Sequence, residues 1–142
     1  MKEIKFRGKA KTLNGHTSKV WEFGYNIWMG INVMATCEIN NAKVDKDTIG
    51  QFTGMQDKNG NDVYEGDIIH LPSTEYLNGE MNGVVEFEDG SFVFKSLYSN
   101  TISDLAWVLR KRINGEPQAE IIGNVYDNQE LIKNTAYDKH ED

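Results

Sequence analysis

The sequence predicts a mainly β protein, and three observations carry that prediction. Residues 83–95 alternate in character around Asp89-Gly90, a dipeptide suited to a two-residue hairpin turn. Residues 4–11 set Ile4, Phe6 and Ala10 against Lys5, Arg7, Lys9 and Lys11, which is the period of a strand. Turn signals then recur along the chain at Asn14-Gly15, Asn59-Gly60 and Asn114-Gly115.

Composition bounds the answer further. The 142 residues fit one domain, or a small domain with an elaborated arm, and 26% charged residues is ordinary for a soluble protein. No apolar run is long enough to span a membrane, and no signal-peptide pattern opens the chain. Cys37 is the single cysteine, so neither an internal disulfide nor a thiolate-rich metal site is expected. The cytosol is the expected compartment. Net charge is -7 but uneven. Residues 1–20 hold six Lys/Arg against one Glu, and the remainder holds nine against twenty-one. Such a basic arm suits an acidic surface, in the same chain or a neighbouring copy, or another anionic partner.

The elements follow in order. The first strand reads as an edge strand whose lysines deter edge-to-edge pairing. Its sharper reading is an anion-binding strip or an oligomer contact. After the Asn14-Gly15 turn, residues 19–25 return as a strand, with Trp21 and Phe23 on one face and core packing as their expected role. Residues 26–41 suit one or two further strands. Ile49 and Phe52 are expected to be buried, and Gly54 to take backbone angles that other residues avoid. Asn59-Gly60 predicts a type I′ turn, and Glu65-Gly66-Asp67 a second sharp turn before Ile68 and Ile69 enter the core. In the hairpin, Phe87 should lie opposite Phe92 and Val85 opposite Phe94, making one apolar face. Residues 105–112 suit either a strand or a short helix. Residues 119–126 read as a strand with a bulge at Gly123. Asp127, Glu130, Tyr126 and Leu131 have the spacing of a capping box and staple for a short closing helix. The polar tail after Asn134 is expected to fray.

Several motifs taken together resemble the YopX family of phage and prophage proteins. They are Gln51-Phe52-Thr53-Gly54, then Asp57-Lys58-Asn59-Gly60, then Val63-Tyr64-Glu65-Gly66-Asp67-Ile68. Ile4-Lys5-Phe6-Arg7 and the run from Ile122 to Leu131 join them. The likeness covers residues 48–70 and 119–132 and, more loosely, the first ten. It implies an SH3-like β-roll in the C-terminal part, an N-terminal β-rich arm or subdomain, and a short C-terminal helix. The division expected is a variable region over 1–47, the roll over 48–134 and a polar tail over 135–142. It also implies phage or prophage origin, expression in the cytoplasm of a bacterial host, and no catalytic residue to carry over.

Chemical motifs are tested one by one. A calcium loop begun at Asp57 would need Gly at its sixth position and Glu at its twelfth, where Asp62 and Ile68 stand. His16, His70 and His140 lie far apart, no serine has a nucleophile-elbow frame, and no Walker loop is present. Glu65 with Asp67, and Glu86 with Glu88, are explained by a turn and a solvated strand face. The expectation is therefore a non-enzymatic, homo-oligomeric interaction or assembly module without cofactor or metal. Its candidate anion or partner contacts are Lys5, Arg7, Lys9, Lys11, Arg110, Lys111 and Arg112. A nucleic-acid-binding accessory protein using the basic N-terminal strand is the alternative, which the overall acidity disfavours.

Overall fold

A computed structural model describes residues 3–29, 37–73, 79–110 and 112–140. The protein is mainly β and divides into two compact units, residues 1–54 and 55–142. Residues 48–54 thus lie with the first unit.

The first unit is organised around β1 (Phe6–Lys11). Strand β2 (Thr17–Gly24) pairs antiparallel along one side, with Arg7 opposite Phe23 and Lys9 opposite Trp21. On the other side, Ala10 meets Val44 of β5 (Ala42–Val44), and Phe6 and Arg7 meet the start of β6 (Gly50–Gln56). Strand β1 is therefore interior, which corrects the edge-strand expectation. Its lysines cannot be deterring pairing on a strand that is paired on both sides. Among the described residues of 26–41 there are two strands, β3 (Ile27–Met29) and β4 (Cys37–Ile39), which continue the sheet to β5. Asn40 and Asn41, at φ 49° and 69°, form the two-residue turn between β4 and β5. A small core of Cys37, Ile39 and Val44 gathers Phe6, Ile27 and Ile49 around it. Gly8 is needed here, because a Cβ would stand 3.2 Å from both Ile39 and Val44.

The second unit begins with the end of β6 and β7 (Asp62–Tyr64). Between them, Gly60 N donates to Asp57 O and Asp57 N donates to Asn61 O. Gly60 has φ 81° while Asn59 stays at negative φ, so the turn is not type I′ as expected. The Asp57 carboxylate decides the outcome. Its Oδ1 accepts from the Asn59 and Asn61 amides, which holds a wider loop with glycine at the left-handed position. Gly66, at φ 91°, makes the second turn, and Asp67 Oδ2 accepts from Tyr64 N at 2.8 Å.

A five-stranded antiparallel sheet follows, in the order β11 (Ile102–Asp104), β10 (Ser91–Ser96), β9 (Met81–Glu88), β8 (Asp67–Leu71), β14 (Glu120–Asn124). The predicted hairpin has its expected register, Phe87 to Phe92 and Val85 to Phe94, with Asp89 and Gly90 both at positive φ. The bulge also stands where expected, between Ile121 and Gly123. The sheet is covered on both faces. One face carries Ile69, Leu71, Val85, Phe92 and Phe94 under α1 (Leu105–Leu109), so residues 105–109 are a helix and not a strand. A two-stranded ribbon, β12 (Arg112–Ile113) and β13 (Glu116–Pro117), then turns at Asn114-Gly115.

The other face carries Ile68, Val84 and Leu97 and receives Tyr137 from α2 (Ala136–His140). The tail is thus anchored through Ala136 N, which donates to Leu97 O, and not frayed from residue 135. The expected capping box is replaced. Asn124 Oδ1 accepts from Tyr126 and Asp127 N, and Asn128 Oδ1 accepts from Asn124 N. Residues Gln129–Leu131 form only a 3-10 turn, with no side-chain cap. An Asx turn has outcompeted the helix start.

Candidate partner-binding surface

The register between β1 and β2 puts Lys5, Arg7, Lys9, Trp21 and Phe23 on the sheet face opposite the first unit's core. Here the basic strip is not a wet row of charges. The Arg7 guanidinium lies 4.5 Å from the Trp21 ring centre and Lys9 Nζ lies 5.6 Å from it. Lys5 Nζ lies 4.6 Å over Phe52 and 3.9 Å from Glu3. Arg7 and Lys9 are each only 7% exposed. A flat cation over an aromatic face gains electrostatically and shelters its stem, which explains how a basic strand can be interior. Lys11 remains exposed at the strand end.

The aromatics depart from expectation in the opposite direction. Trp21 is half-buried, but Phe23 is 52% exposed and Tyr25 61% exposed. Core packing is therefore not the role of these two. Tyr25 donates its hydroxyl proton to Glu3 Oε1 at 2.5 Å. Trp28, on β3, is 56% exposed.

The remaining candidate cations lie in the second unit. Arg110 closes α1 and is exposed, and the Arg112 guanidinium donates to Gly115 O at 2.9 Å, which fixes it on its own turn. Lys111 lies outside the described residues. The seven candidates are thus split between two units, and Arg112 already serves a turn.

Charge follows the same division. Residues 1–54 hold eight Lys/Arg against five Asp/Glu, a net +3, while residues 55–142 hold seven against seventeen, a net −10. In the second unit, Lys95 Nζ bridges Glu88 at 2.7 Å and Glu86 at 3.4 Å. The Glu88 hydrogen bond is the main cause that raises the Lys95 pKa above the ordinary lysine value. The first unit's clearest titratable feature is Asp45. The Thr17 hydroxyl donates to it at 2.6 Å and lowers its pKa, burial opposes this, and the Asp47 amide with Lys11 and Lys46 adds to the lowering.

Among the described residues, no cluster of three or more His, Cys, Asp or Glu is placed to hold a metal ion, and no helix is long and apolar enough to cross a membrane. What the surface does offer is shape, charge and exposed rings. Comparison with known proteins places this arrangement. The YopX protein family matches residues 5–133. The chain belongs to the YopX family. The match joins the basic first strand, the Asp57 and Asp67 turns and the bulged β14 in a single span. Comparison with curated proteins finds no match. Protein EF1440 from Enterococcus faecalis, known from a crystal structure, is similar over 92% of this chain and 98% of its own, with a TM-score of 0.51 and 21% identity. At that identity the likeness is one of fold. The YopX signature residues are thereby accounted for structurally. Asp57 and Asp67 are buried turn carboxylates, Gly66 takes a φ of 91°, and Gly123 leaves room for the Asn128 side chain.

The motif-based reading missed the exposure of Phe23, Tyr25 and Trp28. It also missed a cleft beside Trp28, lined by asparagines.

Proposed function

We propose that this YopX-family chain is a phage- or prophage-encoded interaction and assembly module without catalytic activity, acting in the cytoplasm of a bacterial host. In this reading the second unit is an SH3-like roll that serves as scaffold, and the first unit carries the working surface. The observation that carries it is the pairing of exposed Phe23 and Tyr25 with a unit of net positive charge, in a chain whose other unit is strongly acidic. Aromatic rings supply desolvated contact area, and opposite charges steer the encounter. A second copy has the complementary sign at hand, so self-association between the first unit of one copy and the second unit of another is the simplest assembly.

Light scattering across protein concentration tests this at about 50 mM and about 500 mM salt, which shortens electrostatic reach from more than 10 Å to a few Å. Mass above the monomer at low salt, reduced at high salt and by Phe23→Glu, is expected. A monomer at every concentration and both salts overturns the assembly reading. The nucleic-acid reading draws on one observation, the sharing of a face by Lys5, Arg7 and Lys9 with Trp21 and Phe23. A gel shift with single-stranded DNA at about 50 mM salt, where phosphate contacts are strongest, decides it.

A further inference from the structure

The outer face of the β3–β5 hairpins carries a feature that the assembly reading does not use. Alternation sends Ile27, Cys37 and Ile39 into the first unit's core, so their neighbours Trp28 and Glu38 point the other way. Trp28 and Glu38 are direct cross-strand partners, and Glu38 is in turn the partner of Lys43. At the end of this row the chain folds back through Asn40 and Asn41. Asn40 N donates to Asn26 O at 3.0 Å, which brings a third asparagine to the same place. Together Asn26, Ile27, Trp28, Glu38, Asn40 and Asn41 line a cleft of about 310 Å³.

The cleft is constructed rather than incidental. Asn40 Nδ2 donates to Phe23 O at 3.2 Å, and Gly24 leaves room for that side chain, since a Cβ there would fall 2.3 Å from it. Asn40 is thereby held in place within the two-residue turn, whose left-handed φ of 49° asparagine accommodates.

We infer that this cleft is a binding site for a neutral pyranose sugar. A pyranose has an apolar C–H face, which suits the exposed indole of Trp28, and a rim of hydroxyls. The Asn26 and Asn41 amides carry both donors and an acceptor, Asn40 keeps one N–H and its oxygen beyond its bond to Phe23 O, and Glu38 supplies acceptors only, a combination that matches hydroxyls, which are donor and acceptor at once. Charge selects against phosphate-bearing ligands. Among the described residues, the cleft lining holds no cation and Glu38 is its one ionised group, with Lys43 its partner in the strand register. The volume lies at the lower end of the range of about 300–1,000 Å³ for small-ligand pockets, which corresponds to one or two sugar rings.

The full-length chain labelled with ¹⁵N tests this. Glucose, N-acetylglucosamine and cellobiose are titrated separately into it, with uridine as a comparison and purified peptidoglycan in a pull-down. At least one free sugar is expected to shift the Trp28 indole N–H and the Asn40 or Asn41 side-chain amides saturably, with a Kd of about 1 mM. Retention on peptidoglycan together with such shifts assigns the source to a polymer, and shifts without retention assign it to free sugar. Trp28→Ala should abolish the response. Asn41→Gly removes one amide while suiting the turn's φ of 69°, and it should weaken binding about three- to tenfold with the rest of the spectrum unchanged. The inference is overturned if no sugar moves these signals and peptidoglycan does not retain the protein. It is also overturned if uridine moves them as strongly as the sugars do, or if Asn41→Gly leaves sugar affinity intact. Self-association plays no part in any of these readings, so either proposal can fail alone.

Discussion

The two units solve the same problem with very different resources. The second unit buries its sheet on both faces, with Phe94, Ile69 and Leu71 on one side and Ile68, Val84 and Leu97 on the other. Among the described residues, the first unit has a core of three buried residues, Cys37, Ile39 and Val44, and covers its other face with cations laid over aromatic rings. Apolar burial scales with the area removed from water, whereas a cation–π pair contributes about 2 kcal/mol when desolvated, as the buried Arg7 and Lys9 are. The second unit therefore holds the larger apolar core, while exposed rings remain on both units, Phe23, Tyr25 and Trp28 on the first and Phe87, Tyr98 and Trp107 on the second.

The largest effect should come from testing that asymmetry directly. Phe94→Ala removes a fully buried ring and should cost about 3–5 kcal/mol in urea unfolding. Phe23→Ala removes a ring of similar size from the exposed face of β2 and should stay within about 0.5 kcal/mol. Comparable losses for the two would show that Phe23 is a structural residue, and the assembly surface proposed on it would lose its basis.

A smaller effect is expected at Asp57, the carboxylate that determines the turn after β6. Its Oδ1 accepts from two amides of the turn, and its Oδ2 accepts from Ile121 N on β14 at 3.0 Å, a residue 64 positions away. The side chain thus closes a local loop and fastens it to the far edge of the sheet. Asp57→Ala leaves the Ile121 amide without its acceptor and should cost about 2–3 kcal/mol by thermal or urea unfolding. Asp57→Asn should lose slightly less, because an amide oxygen can keep the turn while its NH₂ opposes the Ile121 N–H. If both variants unfold like the parent, the turn is held by its backbone alone.

These residues also show what could be read from the chain beforehand. Hairpin register around Asp89-Gly90 was legible because both the alternation and the turn chemistry are local. The bulge at Gly123 was legible for the same reason. The turn at Asn59-Gly60 was only half legible, since its type depends on a carboxylate whose third hydrogen bond comes from β14. The closing helix was misjudged because Asn124 and Asn128 offer the backbone nearer partners than a capping box does. Lys5, Arg7 and Lys9 were correctly assigned to one face. Their accessibility was not, because burial depends on β2 placing Trp21 beside Arg7 and Lys9 and on β6 placing Phe52 beside Lys5.

Asp45 gives the smallest effect and the closest comparison with Asp57. Both are aspartates that order a turn through backbone amides, Asp45 Oδ1 accepting from Asp47 N at 3.0 Å in the first unit. Asp57 is buried, whereas Asp45 is partly exposed and its strongest partner is a side chain, the Thr17 hydroxyl. Because folding lowers the Asp45 pKa, its contribution is complete above the ordinary aspartate range and is lost as pH falls through the folded value. Thr17→Val removes the leading cause, so the Asp45 carboxyl should titrate at higher pH in a ¹³C NMR titration, closer to an ordinary aspartate. Added salt should raise it further by screening Lys11 and Lys46, while the Asp47 amide, a short-range contact, should keep its share. An unchanged titration in Thr17→Val would mean that the amide and the lysines suffice. The tie between β2 and the turn at residue 45 would then add nothing to the smaller unit.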